Sequence, residues 1–588
     1  MTTDQNYQQI YRVGGMLDAG FVGQITYTIS LDQVYDELDI HFSFDKRLYS
    51  ESDITPKLID RLQTLCTAKY DAPTYPVEEF RQTILHEMKT EIHTMAELND
   101  NFIGCIHRQL TDRHMLYTKE FTSDGCLAQD TFSGVLKVTV LVFNVLLDNT
   151  QYTLTVSGHP VGQGVIAPNF NLMDTVKTAA GNAGASNAAG SADNSCDAES
   201  APASAVATAG SSGVSGAGST ATAGDSSTTG SSSAGNTVTA STRFKRLELH
   251  NHTVESDGSL TCQELTEYLA ADHVDAFAIT DHNTTSGQKK IEQLLEEKHY
   301  PISLIRGMEY TTYFGHILCL NLAKYVPWNS IDQHRPELLF EAAREKGALV
   351  GIAHPFSYGD PFARGCRFEM TVSDYSKVDF IEIFNNPEPL HEVNEHGTNL
   401  WMSLIFSGYQ ITATSGMDLH NRAKLAGCYA TYIEGKSGGN IASELDTAIH
   451  THRTWVSKGA LLLTEVLPET NELLLTFTDA HKPGFAVPKT AQAVLKGKDK
   501  TFTTSVSLDK PVRISLNQLS GTDPIIPLLY EAPGINGAAT VSNAAHVAAS
   551  TSCGSAADAS SAAGQLKEID ALPAIEGLLC VSPVLYRD

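Results

Sequence analysis

The stretch LELHNHT, at residues 247–253, joins a short apolar strand to two histidines, His250 and His252. Side chains two residues apart on an extended segment point to the same face, so an H-x-H pair offers two imidazoles to one metal ion. A single pair is weak evidence, because surface histidines show the same spacing. Its weight therefore depends on the residues further along the chain.

Six further strand-like segments come after it, with helical segments between several of them; they cover residues 276–280, 303–309, 316–322, 349–354, 380–384 and 411–416. Thr261 and Glu264 have the spacing of a helix-capping box. Pro336 can open a helix that ends before Gly347, because glycine suits the position after a helix end. This alternation of strands and helices predicts a parallel α/β sheet or barrel.

Residues of metal-ligand type stand where these strands begin or end. Besides the H-x-H pair they are Asp257, His282, Glu309, His316, His354, Asp418 and His420. Barrel enzymes place their chemistry at the carboxyl ends of parallel strands, and imidazole and carboxylate ligands suit Zn²⁺, Mn²⁺ or Fe²⁺. A purely structural role would require these buried groups to be satisfied without an ion, which is unfavourable. The joint pattern therefore predicts a metal centre.

The order of these motifs resembles a known superfamily. The chain reads HNHT, SDG, TDHN, GMEYTT followed by GH, AHP and SGMDLH, which is similar to the PHP (polymerase and histidinol phosphatase) superfamily of metal-dependent phosphoesterases. The run GMEYTTYFGH and the helical segment from Asn394 to Trp401 resemble the CehA/McbA branch. The resemblance covers about residues 245–460 and implies a distorted (β/α)7 barrel.

The same resemblance implies three adjacent metal sites for two or three divalent ions. The first ion would be held by His250, His252, Glu309 and Asp418. Glu309 would bridge to a second ion held by His316 and His354. The third ion would be held by Asp257, His282 and His420, although family members differ at the position of Asp257. Glu309, Asp418 and His354 would be the catalytic residues.

Residues around these ligands suggest further roles. Asp281 and Asn283 flank His282 and either orient ligands or form a structural turn. An anionic substrate needs positive groups, for which we consider Arg364 and Arg367, each with a solvated loop arginine as the alternative. His391 is a weaker candidate for a substrate contact or a general acid.

Three functions are compatible with the pattern. The first is a phosphoesterase acting on small phosphate esters through a metal-activated hydroxide, because two cations that share a water molecule lower its pKa. The second is a carbamate, carboxyl-ester or amide hydrolase, which the likeness to the CehA/McbA branch favours. The third is a binding module with a relic metal site. The metal ligands alone do not distinguish the first two functions.

Amino-acid composition and patterning predict how the rest of the chain is divided into domains and linkers. Residues 1–177 contain β-rich runs and predict a β-sandwich-like accessory domain with a helical insertion at about 55–118. Residues 178–242 consist almost entirely of small and polar residues and predict a disordered linker. The barrel would cover residues 243–457. A C-terminal β extension, residues 458–588, would contain a second low-complexity tract at about 534–564.

Charge and cysteine usage restrict the partners and the compartment. The formal net charge of −27 disfavours a long nucleic-acid track, although it permits a small anionic substrate held by metal ions. The N-terminal residues lack a basic region followed by an apolar run, and we find no apolar stretch long enough to span a membrane. The 10 cysteines contain no C-x-x-C pair. We therefore expect reduced thiols in a cytoplasmic protein.

Overall fold

The structure, a computed structural model, describes residues 7–70, 76–161, 243–329, 331, 334–385, 392–482, 486–532 and 566–586. The two predicted low-complexity tracts, 178–242 and about 534–564, lie outside these residues, as does His391. The chain divides into a unit formed by Met1–Ala167 with Ser241–Asp588 and a unit formed by Pro168–Ala240. All described residues belong to the first unit.

The strands of the N-terminal part belong to one hydrogen-bonded sheet of seven strands. Its strands are β1 (Gln8–Leu17), β2 (Gly23–Phe44), β3 (Glu91–Leu98), β4 (Asn101–Ile106), β5 (Asp112–Tyr117), β6 (Phe132–Asn144) and β7 (Thr150–Pro160). They lie in the order β1-β7-β2-β6-β3-β4, and β5 pairs with β2. The long β2 changes partner at an irregularity between Leu31 and Tyr35, so its first part pairs with β6 and its last part with β5. The strand β2 therefore connects β5 to the rest of the sheet.

The predicted helical insertion is shorter than residues 55–118. It contains helices α1 (Pro56–Tyr70) and α2 (Val77–His86), after which β3, β4 and β5 return to the sheet. The segment EIHTMAEL of β3 has a helix-like sequence pattern because its apolar residues do not alternate. In the structure seven of its eight residues are buried, and a strand covered on both faces loses the alternation of a half-exposed strand.

The central sheet carries the predicted barrel strands. These are β8 (Arg243–Glu248), β9 (Ala276–Ile279), β10 (Ser303–Thr312), β11 (Gly315–Leu320), β12 (Leu349–Ile352), β13 (Phe380–Phe384) and β14 (Thr412–Ser415). The helices between them are α3 (Cys262–Ala271), α4 (Ser286–Lys298), α5 (Glu337–Arg344) and α6 (Glu392–Phe406). The architecture is thus mixed α/β, and α6 contains the helical segment predicted from Asn394 to Trp401.

This sheet differs from the expected (β/α)7 barrel in two respects. First, β11 is antiparallel to both β10 and β12, because only two residues connect β10 to β11 and a parallel crossover needs a much longer connection. Second, no hydrogen-bonded ladder joins β14 to β8 in the described chain. Instead, β8 pairs with β15 (Ala430–Gly435), which is antiparallel to it. Beyond the strand ends, an isolated parallel bridge joins Asn251 to Leu419. The segments that follow β8 and β14 therefore approach each other at the end where the predicted ligands lie.

The helix-start signals in the sequence are confirmed. The Thr261 side chain accepts a hydrogen bond from the backbone N–H of Glu264, and the Glu264 carboxylate accepts one from the backbone N–H of Thr261. Pro336 occupies the position before α5. Gly347, shortly after that helix, has a φ of 81°, a conformation that favours glycine.

The C-terminal β extension is largely a continuation of the central sheet. After α7 (Ile441–His450), that sheet continues from β15 through β16 (Thr454–Ser457), β24 (Leu578–Val581), β22 (Ile526–Glu531), β19 (Thr490–Lys496), β20 (Thr501–Ser507) and β23 (Lys567–Ile569). A separate three-stranded sheet contains β17 (Ala460–Leu467), β18 (Glu472–Asp479) and β21 (Val512–Ser515). One apolar cluster includes Cys105 and Phe143 of the N-terminal sheet, Met308 and Trp401 of the central region, and Val494 of β19. The three regions therefore share a core.

Two expectations from the sequence concern the chain as a whole. The first is that no segment spans a membrane, and the second is that the cysteines are reduced. None of the helices in the described residues is long and apolar enough to cross a membrane. The eight cysteines among these residues are free thiols, and all but Cys366 are buried. The expectation of reduced cysteines in a cytoplasmic protein stays a prediction.

Candidate metal centre

Glu309 is the centre of the predicted ligand cluster. It lies near the carboxyl end of β10, and its side chain is completely buried. The Oε2 atom lies 3.1 Å from His250 Nε2, 3.3 Å from His252 Nε2 and 3.0 Å from His282 Nδ1. The other oxygen, Oε1, lies 2.9 Å from His316 Nδ1 and 3.0 Å from His354 Nε2. One carboxylate therefore faces five imidazoles.

The group predicted for the first ion is assembled as expected. Single ligand atoms of His250, His252, Glu309 and Asp418 all lie within 4.8 Å of one another. Asp418 Oδ1 is 2.9 Å from His252 Nε2 and 3.4 Å from His250 Nε2. Residues from the ends of β8, β10 and β14 thus meet at one point.

His282, which was expected to hold only the third ion, also contacts the group expected for the second ion. Its Nδ1 faces Glu309, whereas its Nε2 lies 3.6 Å from Asp257 Oδ1. One metal-type group is His282 with Glu309 and His316, and another is His252, Asp257, His282 and His420. His354 contacts Glu309 without belonging to a group of this kind. The structure therefore brings all nine residues together but links His282 to both regions.

The donor atoms have the arrangement that a metal ion requires. Within the described residues, several of them are buried without a hydrogen-bond partner: His250 Nε2, His252 Nε2, Asp257 Oδ1, Glu309 Oε2, His316 Nε2 and Asp418 Oδ1. They lie close together, but not in hydrogen-bond geometry. Ligands bound to a common ion at about 2.0–2.1 Å are separated by about 3.0–3.4 Å, similar to the spacings found here. These residues therefore fit divalent ions.

Electrostatics keeps the carboxylates ionised. Burial alone would raise the pKa of Glu309, but the imidazoles of His250, His316 and His282 hold that pKa well below its ordinary value. Burial opposes ionisation of Asp418 as well, and the neighbouring histidines hold its pKa well below the usual range. Charged carboxylates are the form that binds cations.

Two ligands have a backbone conformation that is uncommon for residues other than glycine. The φ angle is 50° at Asp418 and 24° at His354. Such conformations are strained and persist where surrounding contacts enforce them, often at functional sites. For His354, its backbone N–H donates to Glu382 Oε2 at 3.0 Å, and its Nδ1 lies 3.1 Å from the Cys366 carbonyl oxygen.

Glu382 belongs to this site, although the sequence motifs did not identify it. It lies in β13, is 1% exposed, and its Oε1 is 3.1 Å from His250 Nδ1. Its Oε2 accepts hydrogen bonds from the His354 backbone and from Asn385 Nδ2. The signal was available, because an acid in the middle of the apolar segment FIEIF requires a buried partner.

The residues flanking His282 position the ligand loops. Asp281 accepts hydrogen bonds from the backbone N–H and the hydroxyl of Thr253 and from the Ser256 hydroxyl. Asn283 exchanges two hydrogen bonds with the backbone of Thr311, whose hydroxyl lies 2.6 Å from His282 Nδ1. The predicted orienting role thus fits these contacts, and burial raises the pKa of Asp281.

The two predicted substrate arginines occupy different environments. Arg364 lines a cavity of about 130 Å³ together with most of the nine ligands. Arg367 does not line that cavity; its guanidinium lies over the rings of Tyr70 and Phe356, and it donates to the Phe356 carbonyl oxygen. The Arg367 guanidinium, which the sequence suggested for substrate binding, is thus packed against two aromatic rings. Of the two arginines, Arg364 is the one that lines the cavity of the metal-type cluster.

The N-terminal sheet supplies side chains that no sequence motif connected with this site. Lys89, Glu91, His107 and Gln109 line the same cavity as the predicted ligands. Arg108 donates to the Gly258 carbonyl oxygen at 3.1 Å, and Glu255 accepts a hydrogen bond from the Gly125 backbone. These contacts fix the sheet against the loop that carries Asp257.

Comparisons with known proteins give partial matches. A model of a family of unknown function, DUF6669, matches residues 7–160 and so leaves the nine-residue cluster outside it. An uncharacterized protein of Methanocaldococcus jannaschii is 30% identical over 112 residues, 19% of this chain and 58% of its own length. A 5'-3' exoribonuclease of Haemophilus influenzae is 36% identical over 141 residues, 23% of this chain and 50% of its own length. The chain thus spans about half the length of these curated relatives.

Similar solved structures include proteins of two descriptions. One, from Bacteroides vulgatus, is a two-domain protein containing a predicted PHP-like metal-dependent phosphoesterase. Its sequence is 15% identical and its TM-score is 0.28; the match covers 49% of this chain and 90% of that chain. Another is an amidohydrolase from Chromobacterium violaceum, with 16% identity, a TM-score of 0.23, and 30% and 87% of the two chains covered.

Proposed function

We propose that this protein is a metal-dependent hydrolase of the PHP superfamily that acts on small phosphate esters. The observation that carries this proposal is the convergence of six imidazoles and three carboxylates around Glu309, six of which have a buried ligand atom without a hydrogen-bond partner among the described residues. Divalent ions bound there would lower the pKa of a water molecule and neutralise charge that develops on the substrate. The names of the exoribonuclease relatives also support a phosphate ester as the substrate class.

The cationic groups of the cavity favour a phosphate ester over an uncharged carbamate or amide. Lys89 and Arg364 both line the cavity, although the protein as a whole carries a net charge of −27. Arg364 Nε is buried without a hydrogen-bond partner among the described residues, while its guanidinium is held by Asp360 at 2.9 Å. An arginine fixed in this way is suited to bind a phosphoryl oxygen.

The size of the cavity supports a small reacting group. Its volume of about 130 Å³ is below the range of about 300–1,000 Å³ for sites that enclose a drug-sized ligand. We infer that the cavity receives the phosphoryl end of a substrate whose remaining part lies outside. His354, Arg364 and Lys89 are among the described residues that line the cavity.

The test is hydrolysis by protein loaded separately with Mn²⁺ or Zn²⁺. The substrates are phosphate monoesters, phosphodiesters including short RNA, and aryl carbamates, and Glu309→Gln is the inactive control. We expect turnover of the phosphate substrates that disappears in the variant. Turnover of carbamates alone would replace the proposed substrate class. Absence of both metal and activity would overturn the enzyme assignment.

A further inference from the structure

A second cluster of ligand-type residues lies in the N-terminal sheet. Glu91 and His93 are two residues apart on β3 and therefore point to the same face, and His107 directly follows β4. Thr94 pairs with Ile106 in that antiparallel ladder, so the same register places His93 opposite His107. All three side chains are buried, with exposures of 6%, 0% and 5%. The sheet thus presents two imidazoles and a carboxylate at one position.

Several side chains of this cluster contact the same group, the His93 imidazole, instead of forming separate pairs. His93 Nε2 lies 3.2 Å from Glu91 Oε1 and 2.9 Å from the amide nitrogen of Gln109. The rings of His93 and His107 are 3.9 Å apart. One ring nitrogen has a single proton or a single lone pair, so it cannot satisfy both neighbours fully. In the described chain, His93 Nδ1, His107 Nδ1 and Gln109 Oε1 are buried without a hydrogen-bond partner.

Leaving such groups unpartnered is unfavourable, which argues against a purely structural cluster. A buried polar atom without a partner loses its hydrogen bonds to water with no replacement, and three such atoms lie together here. A cation coordinated by imidazole nitrogens and a carboxylate oxygen would draw these donors to a common point. Ligand atoms of Glu91, His93 and His107 already lie within 4.8 Å of one another, as those of the groups around Glu309 do.

The cluster adjoins the proposed catalytic centre. His107 Nε2 lies 3.4 Å from Asp257 Oδ2, while Asp257 Oδ1 faces His282 and His420. The His107 ring also stacks on the His282 ring at 4.1 Å with an angle of 25°. Asp257 therefore stands between the two clusters with one oxygen toward each.

We propose that Glu91, His93 and His107 hold a further divalent transition-metal ion, with Asp257 as the carboxylate shared with the neighbouring site. The N-terminal sheet then contributes a metal site to the shared cavity, in addition to packing on the central region. The ligand set, two imidazoles with carboxylates, suits Zn²⁺, Mn²⁺ or Fe²⁺. The proposal does not depend on which bond the enzyme hydrolyses.

The test counts ions bound to the full-length protein. Wild type, Glu91→Gln and His93→Gln are saturated with Zn²⁺, separated from free metal and analysed for bound equivalents. Each variant should lose about one ion relative to wild type, because it removes a ligand from one site and leaves the nine-residue cluster intact. His86→Gln, an exposed histidine at the end of α2, is the matched control and should retain the wild-type content.

A second measurement keeps the test decisive if one variant folds poorly. Co²⁺-loaded wild type and His107→Asn are compared by visible absorption, which reports the ligands of each ion, with circular dichroism as the folding check. Loss of one component of the Co²⁺ spectrum supports the site. Equal metal content and spectra in folded variants would overturn it, while loss of metal in Glu309→Gln under the same conditions would leave the proposed catalytic centre standing. Wild type without any bound ion would overturn both proposals.

Discussion

The Nδ1 atom of His250 lies 3.1 Å from Glu382 Oε1, while the Nε2 atom of the same ring faces Glu309 and Asp418. Glu382 therefore fixes the ring so that Nε2 is available to an ion. Its other oxygen accepts the backbone N–H of His354, a second ligand. A carboxylate that orients a histidine in this way also increases the basicity of the imidazole.

We predict that Glu382→Gln lowers metal affinity by about 10- to 100-fold, as is typical when an orienting partner of a metal ligand is replaced. The amide keeps the shape of the side chain but does not offer two anionic acceptors. Affinity is measured by competition with a chromogenic chelator. Asp379→Asn is the control, because Asp379 immediately precedes the same strand and accepts a hydrogen bond from Val350 instead of contacting a ligand. Equal affinities of the two variants would contradict the orienting role.

Glu309 and Asp257 should differ in their effect on turnover and on the first group of ligands. Glu309 contacts ligands of all the predicted sites, so Glu309→Gln should abolish turnover and remove more than one equivalent of metal. Asp257→Asn should leave the first group of ligands intact and retain part of the activity. Both variants are compared at the same pH with matched circular dichroism. Near-normal metal content in Glu309→Gln would show that the ligand assignment is wrong at its centre.

Removal of metal should destabilise the fold around the cluster. Without ions, several of the buried ligand atoms around Glu309 have no hydrogen-bond partner among the described residues. Saturating metal at about 1,000 times its Kd would stabilise the native state by about 4 kcal/mol per site. We therefore expect Tm to fall after chelation and to recover when Mn²⁺ or Zn²⁺ is added. The recovery should be smaller in Glu309→Gln, and unchanged Tm values throughout would argue against metal binding.

The candidate ligands could be recognised because short motifs encode them locally. Several of them follow directly on a strand whose apolar residues are evident in the sequence, as with His250 after LEL and His354 after LVGIA, whereas His316 lies at the start of β11 and Asp257 in the loop after β8. The direction of β11 was less evident, since HILCLNL has the same apolar character in either direction. The two-residue connection at Tyr313 and Phe314 was the signal that excluded a parallel crossover.

The contribution of the N-terminal sheet could not be predicted in the same way. His107 and Asp257 meet only after two sheets have packed together, and the periodicity of one segment does not record which distant segment will cover it. The burial of β3 on both faces also removed the alternation that would have identified it as a strand. By contrast, the capping box at Thr261 depends on residues within one turn and was correct.

That capping box permits a prediction about stability alone. Thr261→Ala removes the acceptor for the Glu264 backbone N–H at the start of α3. We expect a loss of about 0.5–2 kcal/mol in the free energy of unfolding, measured by denaturant titration. Metal content should not change, because the side-chain hydrogen bonds of Thr261 go to Glu264 and to none of the nine ligands. A loss of bound metal would show that the helix start and the metal loop are coupled.

The two arginines of the loop after His354 should have separable roles. Arg364 lines the cavity with an unpartnered Nε, so Arg364→Ala should raise KM for a phosphate substrate by about tenfold or more, the range expected when a charged hydrogen bond to substrate is lost. Arg367 packs over Tyr70 and Phe356, so Arg367→Ala should lower Tm and change KM little. Steady-state kinetics on the same metal-loaded preparations, with thermal unfolding of each, separates the two effects. A larger KM change in Arg367→Ala than in Arg364→Ala would place the substrate on the other side of this loop. Equal KM values in both variants and wild type would show that neither arginine binds the phosphoryl group.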